Sequence, residues 1–430
     1  MKRLLLLLFI VLFSTMGLTS AMAAGSKEKE QSPSVQEKVK LRVPVWSDIE
    51  PYTLAIIEEF KKMNPNVEFD FWRTDAAEFR QQIFVQLAGG ATIDVLTTQN
   101  NAVYADLATR GLLLPLDDMI AADKFDTSFL GPFFEGARVK GKIYGIPFNT
   151  TAWVIYYNKD IFDAAGVPYP TDGMTWDQWY ELASRVTSGS GQKKVWGAYM
   201  HPWPITWMGQ AVQKGVTVAD QDLSAFKTAM EFRKRLENEE IAVPYFESIS
   251  SKMHYSTAFY AGNVAMVPMG NWFMSMLWSA RDQGKVKFKW DIVQMPVPAG
   301  VRPGTTWGMA GPMAIAANSR NSKTAFEFLK FYVSSSTSAE ILAQYGLLSF
   351  KQTPRSRELL VERATKQGAP ENAKILFDSV IYPEYPAISD VNFIVNTIFK
   401  EEADLYFAGE QSSDKALQNI RRRLQDSAKK

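Results

Sequence analysis

Tryptophan beside polar residues is the main chemical feature of this 430-residue chain, which has twelve tryptophans. The pairing occurs in Trp46-Ser47-Asp48, in Asn149-Thr150-Thr151-Ala152-Trp153, in His201-Pro202-Trp203-Pro204, in Gly270-Asn271-Trp272 and in Thr306-Trp307-Gly308. An indole ring stacks on the apolar C–H face of a sugar, while carboxylate, amide and ammonium groups bond to its hydroxyls. These segments therefore predict a carbohydrate-binding site, and we predict no catalytic residue, no metal ligand and no cofactor.

The residues predicted to contact the ligand come from these segments and from polar positions near them. They are Trp46, Asp48, Gln99, Asn100, Asn149, Trp153, Trp203, Trp207, Asn271, Trp272, Trp307 and Lys351. The many aromatic rings favour an oligosaccharide or a glycoside over a small monosaccharide, because each stacked ring adds contact area.

Several of these positions have a structural alternative. Trp46 could close a hydrophobic core at the end of a strand, with Asp48 capping the next helix. The segment Thr98-Gln99-Asn100 could be only a polar turn and helix cap. Trp203 and Trp207 could belong to a loop packed on its own aromatic residues.

Two further tryptophan segments differ in what they predict. Gly270 lets the backbone approach closely, and Asn271 offers both a donor and an acceptor beside Trp272. Trp176 and Trp179 instead begin an amphipathic helix, so we expect them to pack in a core.

The N-terminal part alternates strands and helices. Residues 39–46, 67–71 and 93–96 are predicted strands, and residues 50–63 and 79–87 are predicted helices. This βαβαβ order predicts an α/β fold with a parallel sheet covered by helices. Ligands of such sheets lie beyond the carboxyl ends of the strands, which places the segments after the first and third strands at a binding edge.

The remainder of the chain continues the α/β pattern. Residues 151–158 predict a buried strand, and residues 176–186 predict a helix with Thr175 as its N-cap. Helical spacing recurs over residues 223–236, 326–333 and 391–407.

The N-terminus carries an export signal. Lys2 and Arg3 precede an apolar run over residues 4–13, and Ala21-Met22-Ala23 supplies a cleavage pattern, so residues 1–23 are predicted to be a signal peptide. The run is too short to span a bilayer, although an N-terminal membrane anchor is the alternative. Residues 24–38 are polar and are predicted to form a flexible leader.

Composition excludes several classes of protein. The chain has no cysteine, so it can form neither a disulfide nor a lipid-modified cysteine. Its formal net charge of +1 without basic blocks argues against nucleic-acid binding. With only His201 and His254 available, a histidine-rich metal site is excluded.

An ordered set of segments resembles the extracellular solute-binding proteins of ABC importers, in particular the carbohydrate-binding group that includes maltose-binding protein. The segments include Gly141-Lys142-Ile143-Tyr144-Gly145-Ile146-Pro147-Phe148, Ala164-Ala165-Gly166-Val167-Pro168, Met174-Thr175-Trp176-Asp177, Met269-Gly270-Asn271-Trp272, and residues 45–48, 60–65, 87–95, 155–162, 262–266 and 325–331. They follow the family order across nearly the whole chain after the leader.

The resemblance implies two lobes that close on a ligand in the cleft between them and then engage a membrane permease. It implies a monomer, and the missing lipid cysteine implies a freely diffusing periplasmic protein. The expected lobes are residues 39–149 with 304–351, and residues 150–303 with 352–430. The expected crossings between them lie near residues 148–152, 298–306 and 350–354.

Other functions remain as alternatives. A carbohydrate-active enzyme needs two carboxylates across a cleft, and Asp48 with Asp117, or Glu239 with Glu240, could be assigned that role. A binding protein for a polyol or for ferric ion is another alternative, because some related proteins hold iron with adjacent tyrosines. Tyr156 and Tyr157 are adjacent, but consecutive strand residues point to opposite faces. A secreted scaffold or adhesin has little support in the βα alternation.

Overall fold

The computed structural model describes residues 38–427 apart from 48, 310, 387 and 389. The predicted signal peptide, residues 24–37 of the predicted leader, and Asp48 lie outside the described residues. In the described part of the chain, no helix has the length and apolar character needed to cross a membrane.

The described elements alternate between strands and helices near the N-terminal end and later include runs of strands and runs of helices. The strands are β1 (Val39–Trp46), β2 (Val67–Thr74), β3 (Val95–Thr97), β4 (Arg138–Val139), β5 (Lys142–Ile143), β6 (Gly145–Pro147), β7 (Trp153–Asn158), β8 (Trp196–Ala198), β9 (Val264–Gly270), β10 (Trp290–Gln294), β11 (Thr305–Gly308), β12 (Pro312–Ile315) and β13 (Val380–Pro383). The helices are α1 (Glu50–Met63), α2 (Ala76–Ala88), α3 (Asn101–Thr109), α4 (Asp117–Ala122), α5 (Pro132–Gly136), α6 (Lys159–Ala165), α7 (Trp176–Val186), α8 (Pro204–Val212), α9 (Ser224–Asn238), α10 (Tyr245–Ser250), α11 (Tyr255–Tyr260), α12 (Phe273–Asp282), α13 (Ser322–Ser334), α14 (Ser336–Gln344), α15 (Pro354–Lys366), α16 (Val391–Phe393), α17 (Lys400–Phe407) and α18 (Ser413–Ser427). Short 3-10 turns lie at Ser128–Leu130, Gly191–Lys193 and Ala373–Phe377, and a π-helical segment at Ile394–Phe399 joins α16 to α17.

Two hydrophobic cores divide the fold into two lobes. The first core takes buried residues from 41–148 and 313–347. Apart from Ala102, the second core takes its residues from 152–307 and 343–420. The protein therefore has the predicted two-lobed α/β fold, and Trp272 is partly buried against both cores.

The first lobe is built on short sheets around β1 and β12. Strands β1 and β2 pair in parallel from Val39 and Val67 onward, as the βαβ pattern predicts. Strand β12 lies between β3 and β6 and is antiparallel to both. The third predicted strand begins late, at Val95, where its pairing with Ile315 of β12 starts.

The second lobe is built on the sheet β10-β7-β9-β8. Every residue of β7 is buried, and Thr175 caps α7 with a capping box, so both predictions are confirmed. Tyr156 and Tyr157 of β7 have different partners: the Tyr156 hydroxyl donates to the Gly270 carbonyl, whereas Tyr157 packs on Phe162.

Segments that cross between the two cores lie side by side. Thr150 forms an antiparallel bridge with Leu348, and the Thr151 amide donates to the Met309 carbonyl at 3.1 Å. The core changes between Trp307 and Met313. Strand β11 contributes Trp307 to the second core and pairs with β13. The crossing expected at residues 298–306 stays a prediction.

Candidate ligand-binding site

Three of the predicted tryptophans form one cluster. The ring of Trp153 lies 5.6 Å from that of Trp272, at 90°, and 5.6 Å from that of Trp307, at 33°. Trp153 begins β7 and Trp307 lies in β11, so two different strands position these rings. Trp153 and Trp307 are fully buried, whereas Trp272 keeps part of its surface exposed.

An aromatic surface continues from Trp272 toward solvent. The indole Nε1 of Trp272 donates to the Tyr255 hydroxyl at 3.2 Å, and the Tyr255 ring lies 5.7 Å from that of Trp203. Trp203 is 40% exposed at the start of α8 and packs edge-on against His201. Tyr255 is buried between the exposed Trp203 and the partly exposed Trp272, and the two indoles suit the stacking surface of a sugar.

The ionisable groups next to this surface are either neutral or paired. Burial, together with His254 and Arg233, lowers the pKa of His201 to about 3, so His201 is neutral at ordinary pH. The Arg233 guanidinium is paired with Glu237 at 2.9 Å and also donates to the Met200 carbonyl. The aromatic surface therefore favours an uncharged ligand.

A buried carboxyl group adjoins the tryptophan cluster. Glu384 follows β13 and is 7% exposed, and its Oε1 accepts a 2.6 Å hydrogen bond from the Trp153 Nε1. Burial raises the pKa of Glu384 to about 8, although the bond from Trp153 acts in the opposite direction.

Residues of the first lobe face this region from α3. The Asn101 side chain donates to the Tyr385 carbonyl at 3.3 Å, which joins α3 to the segment that contains Glu384. The Oδ1 of Asn100 accepts a hydrogen bond from the Val103 amide and so caps α3, which is the structural alternative given for this segment. Gln99 is partly exposed beside it.

Trp46 and Asn271 have structural roles in the observed geometry. Trp46 is 7% exposed and packs on Phe79 at 4.8 Å, as the core-closing alternative expects. Asn271 is fully buried; its Oδ1 accepts from the Ala152 amide and its Nδ2 donates to the Gly346 carbonyl.

The remaining candidates lie apart from the tryptophan cluster or at its edge. Trp207 is 2% exposed and packs between Phe226 and Phe407 in the second core. The Lys351 ammonium lies 5.6 Å from the centre of the Phe129 ring, and Phe129 packs against the first core. Asn149 is buried at the crossing between the cores. Ligand contact by all of these residues stays a prediction.

Sequence reasoning missed Glu384 and Tyr255. Glu384 stands in Tyr382-Pro383-Glu384-Tyr385-Pro386, where a single carboxylate is enclosed by aromatic and proline residues. That composition was the available signal, because prolines keep a segment extended and aromatic neighbours bury it. Tyr255 follows His254 at the start of α11, and its sequence context carries no comparable signal.

The chain is similar to several known proteins in sequence and in fold. A sugar transporter of Rhizobium etli in an open conformation matches with a TM-score of 0.80 and 30% identity, over 89% of this chain and 98% of that one. An ABC substrate-binding protein of Listeria monocytogenes in complex with cycloalternan matches with a TM-score of 0.77 and 22% identity, over 91% and 99% of the two chains. A lactose-binding protein of Rhizobium radiobacter is 25% identical over 59% of this chain and 61% of its own length.

The family profile described as bacterial extracellular solute-binding protein matches residues 46–338, which is more than half of the chain. Together with the two cores and the aromatic surface that packs against both of them through Trp272, this match assigns the family. The chain belongs to the bacterial extracellular solute-binding proteins.

Proposed function

We propose that this protein is the periplasmic substrate-binding component of an ABC importer for an uncharged sugar or oligosaccharide. The observation that carries the proposal is the aromatic surface of Trp272 and Trp203, which are joined by the buried Tyr255 and begin where the two cores meet. Relatives named for lactose or solved with an oligosaccharide support the same class of ligand.

The crossing segments supply a hinge for closure. They meet where Thr150 bridges Leu348 and Thr151 bonds to Met309. Few residues join the lobes there, so small changes in backbone dihedrals can rotate one lobe against the other. A ligand that contacts both lobes shifts this equilibrium toward the closed form, which the membrane permease would receive. We propose that the protein acts as a monomer and that the lobe boundaries lie near Thr150, Met309 and Leu348.

A thermal-shift screen of the mature protein tests this function. Mono- and oligosaccharides are added singly, and each sample that shifts is checked for hydrolysis products. A ligand that binds only the folded state raises the melting temperature by mass action. We expect one or a few intact sugars to do so. A shift with polyols or ferric ion alone, or turnover of the sugar, would overturn the proposal.

A further inference from the structure

Glu384 is held at one of its two oxygens and not at the other. Oε1 accepts the Trp153 indole N–H at 2.6 Å, and the Glu384 amide donates to the Gly308 carbonyl at 3.1 Å. Among the described residues, no protein donor or cation is found on Oε2. The carboxyl group is therefore fixed in position while one oxygen is left for another partner.

The surroundings of Glu384 favour its neutral form. Its neighbours include the indole of Trp153, which does not titrate, and the phenol of Tyr385, whose pKa lies well above 10 because of burial and of Glu384 itself. On the side of the first lobe, Asn101 bonds the adjoining backbone and carries no charge. A carboxyl group without a cation in a desolvated site keeps its proton.

A neutral carboxyl group has one O–H donor. Because Oε1 already accepts a bond from an indole N–H, the proton belongs on Oε2. That donor lies beside the tryptophan cluster from which the aromatic surface extends. Among the described residues, Oε2 of Glu384 is not one of the fully enclosed polar atoms that lack a partner, so a ligand oxygen or a water molecule can reach it.

We propose that Glu384 is a specificity-determining residue of this site, which binds an oxygen atom of an uncharged solute by donating the Oε2 proton while Trp153 holds Oε1. The inference rests on the proposed function and deepens it. A sugar hydroxyl, ring oxygen or glycosidic oxygen supplies the acceptor. A ligand bound in this way requires the protonated carboxyl group, so its affinity decreases once the solution is alkaline enough to remove the proton.

The test is ligand affinity as a function of pH, measured by calorimetry on the mature protein with lactose and with maltotriose as probes. We expect a constant dissociation constant at acidic and neutral pH and a rise above pH 8, approaching about tenfold per pH unit. Glu384→Gln keeps an acceptor and has an N–H donor that does not titrate, so its affinity should not decrease at alkaline pH. Glu247→Gln, at an exposed residue of α10, is the matched control and should keep the wild-type profile.

A second variant separates recognition from packing. Glu384→Leu removes both oxygens, and we expect affinity to decrease about tenfold or more, since the ligand oxygen loses its partner. A purely structural glutamate would instead change the melting temperature and leave the dissociation constant unchanged. If the leucine variant does not fold, the glutamine variant still decides the question through its pH profile.

The outcomes distinguish the two proposals. Binding with the same flat pH profile in wild type and Glu384→Gln overturns the role of Glu384 and leaves the sugar-binding function standing. If neither lactose nor maltotriose nor any other sugar of the screen binds, the proposed function and the role of Glu384 are both overturned.

Discussion

The ring of Trp272 occupies the space that a side chain at Gly270 would fill. A Cβ built on Gly270 would lie 1.8 Å from Cζ3 of Trp272 and 2.3 Å from two further ring atoms. Gly270 ends β9, and its carbonyl accepts the Tyr156 hydroxyl at 3.0 Å. The bond from Tyr156 fixes the backbone of Gly270. Because Gly270 has no side chain, the Trp272 indole can lie directly on that backbone.

Gly270→Ala is predicted to displace the Trp272 ring. Because the neighbouring groups are packed, we expect a loss of about 1–3 kcal/mol in the free energy of unfolding, together with weaker sugar binding. Urea unfolding and calorimetry measure the two effects. Gly136→Ala is the control, since the nearest atom to its Cβ would be 3.8 Å away. Wild-type stability and affinity in Gly270→Ala would contradict the close packing.

Trp272→Ala is predicted to weaken ligand binding without unfolding the protein. Removing a partly exposed aromatic anchor from the site should cost roughly 1–3 kcal/mol of binding free energy. Trp196→Ala is a matched control, because Trp196 is also partly buried but lies in β8, beside Lys194. Calorimetry with the sugar identified in the screen measures both variants. Equal affinity in Trp272→Ala and wild type would remove Trp272 from the site.

Asn271→Leu is predicted to destabilise the junction between the crossings. The substitution leaves the Ala152 amide and the Gly346 carbonyl buried without their side-chain partner. Each unpaired group costs roughly 1–3 kcal/mol, so unfolding by urea should occur at a clearly lower concentration. Asn318→Ala, which removes one exposed bond to the Ala91 carbonyl, should change stability by less than about 1 kcal/mol. A similar small change in Asn271→Leu would show that water replaces these bonds.

The free energy of unfolding is predicted to decrease as the pH rises toward the pKa of Glu384 in the folded protein. Burial raises the pKa of Glu384 from 4.5 to about 8 in the folded protein. Between these values the folded protein holds a proton that the unfolded chain has released, so raising the pH lowers the free energy of unfolding until about pH 8. In Glu384→Gln the free energy of unfolding should no longer show this decrease with pH. Urea unfolding at several pH values measures it. Identical slopes in the two proteins would place an ordinary carboxylate at position 384.

The local pattern of the chain was sufficient for several of the longer elements of secondary structure. The alternation over Val39–Trp46 and the helical spacing over Glu50–Met63 predicted β1 and α1 with their observed bounds. Thr175 was recognisable as a helix cap because capping depends on residues only a few positions apart. The third strand was predicted too early, because it starts only where Val95 pairs with Ile315 of β12, which is remote in sequence.

The tertiary structure decided which polar and aromatic residues are available to a ligand. Trp203 and Trp207 stand four positions apart in one segment, yet Trp203 is 40% exposed and Trp207 only 2%. Glu384 acquires its environment from Trp153, which lies 231 residues away in the chain. Sequence alone determined the predicted strands, helices and caps, because periodicity and capping are local, and the two-lobed class came from the resemblance of ordered segments to a known family. Burial and hydrogen-bond partners depend on contacts between distant segments, so only the folded chain determined the exposed aromatic surface and the carboxyl group beside it.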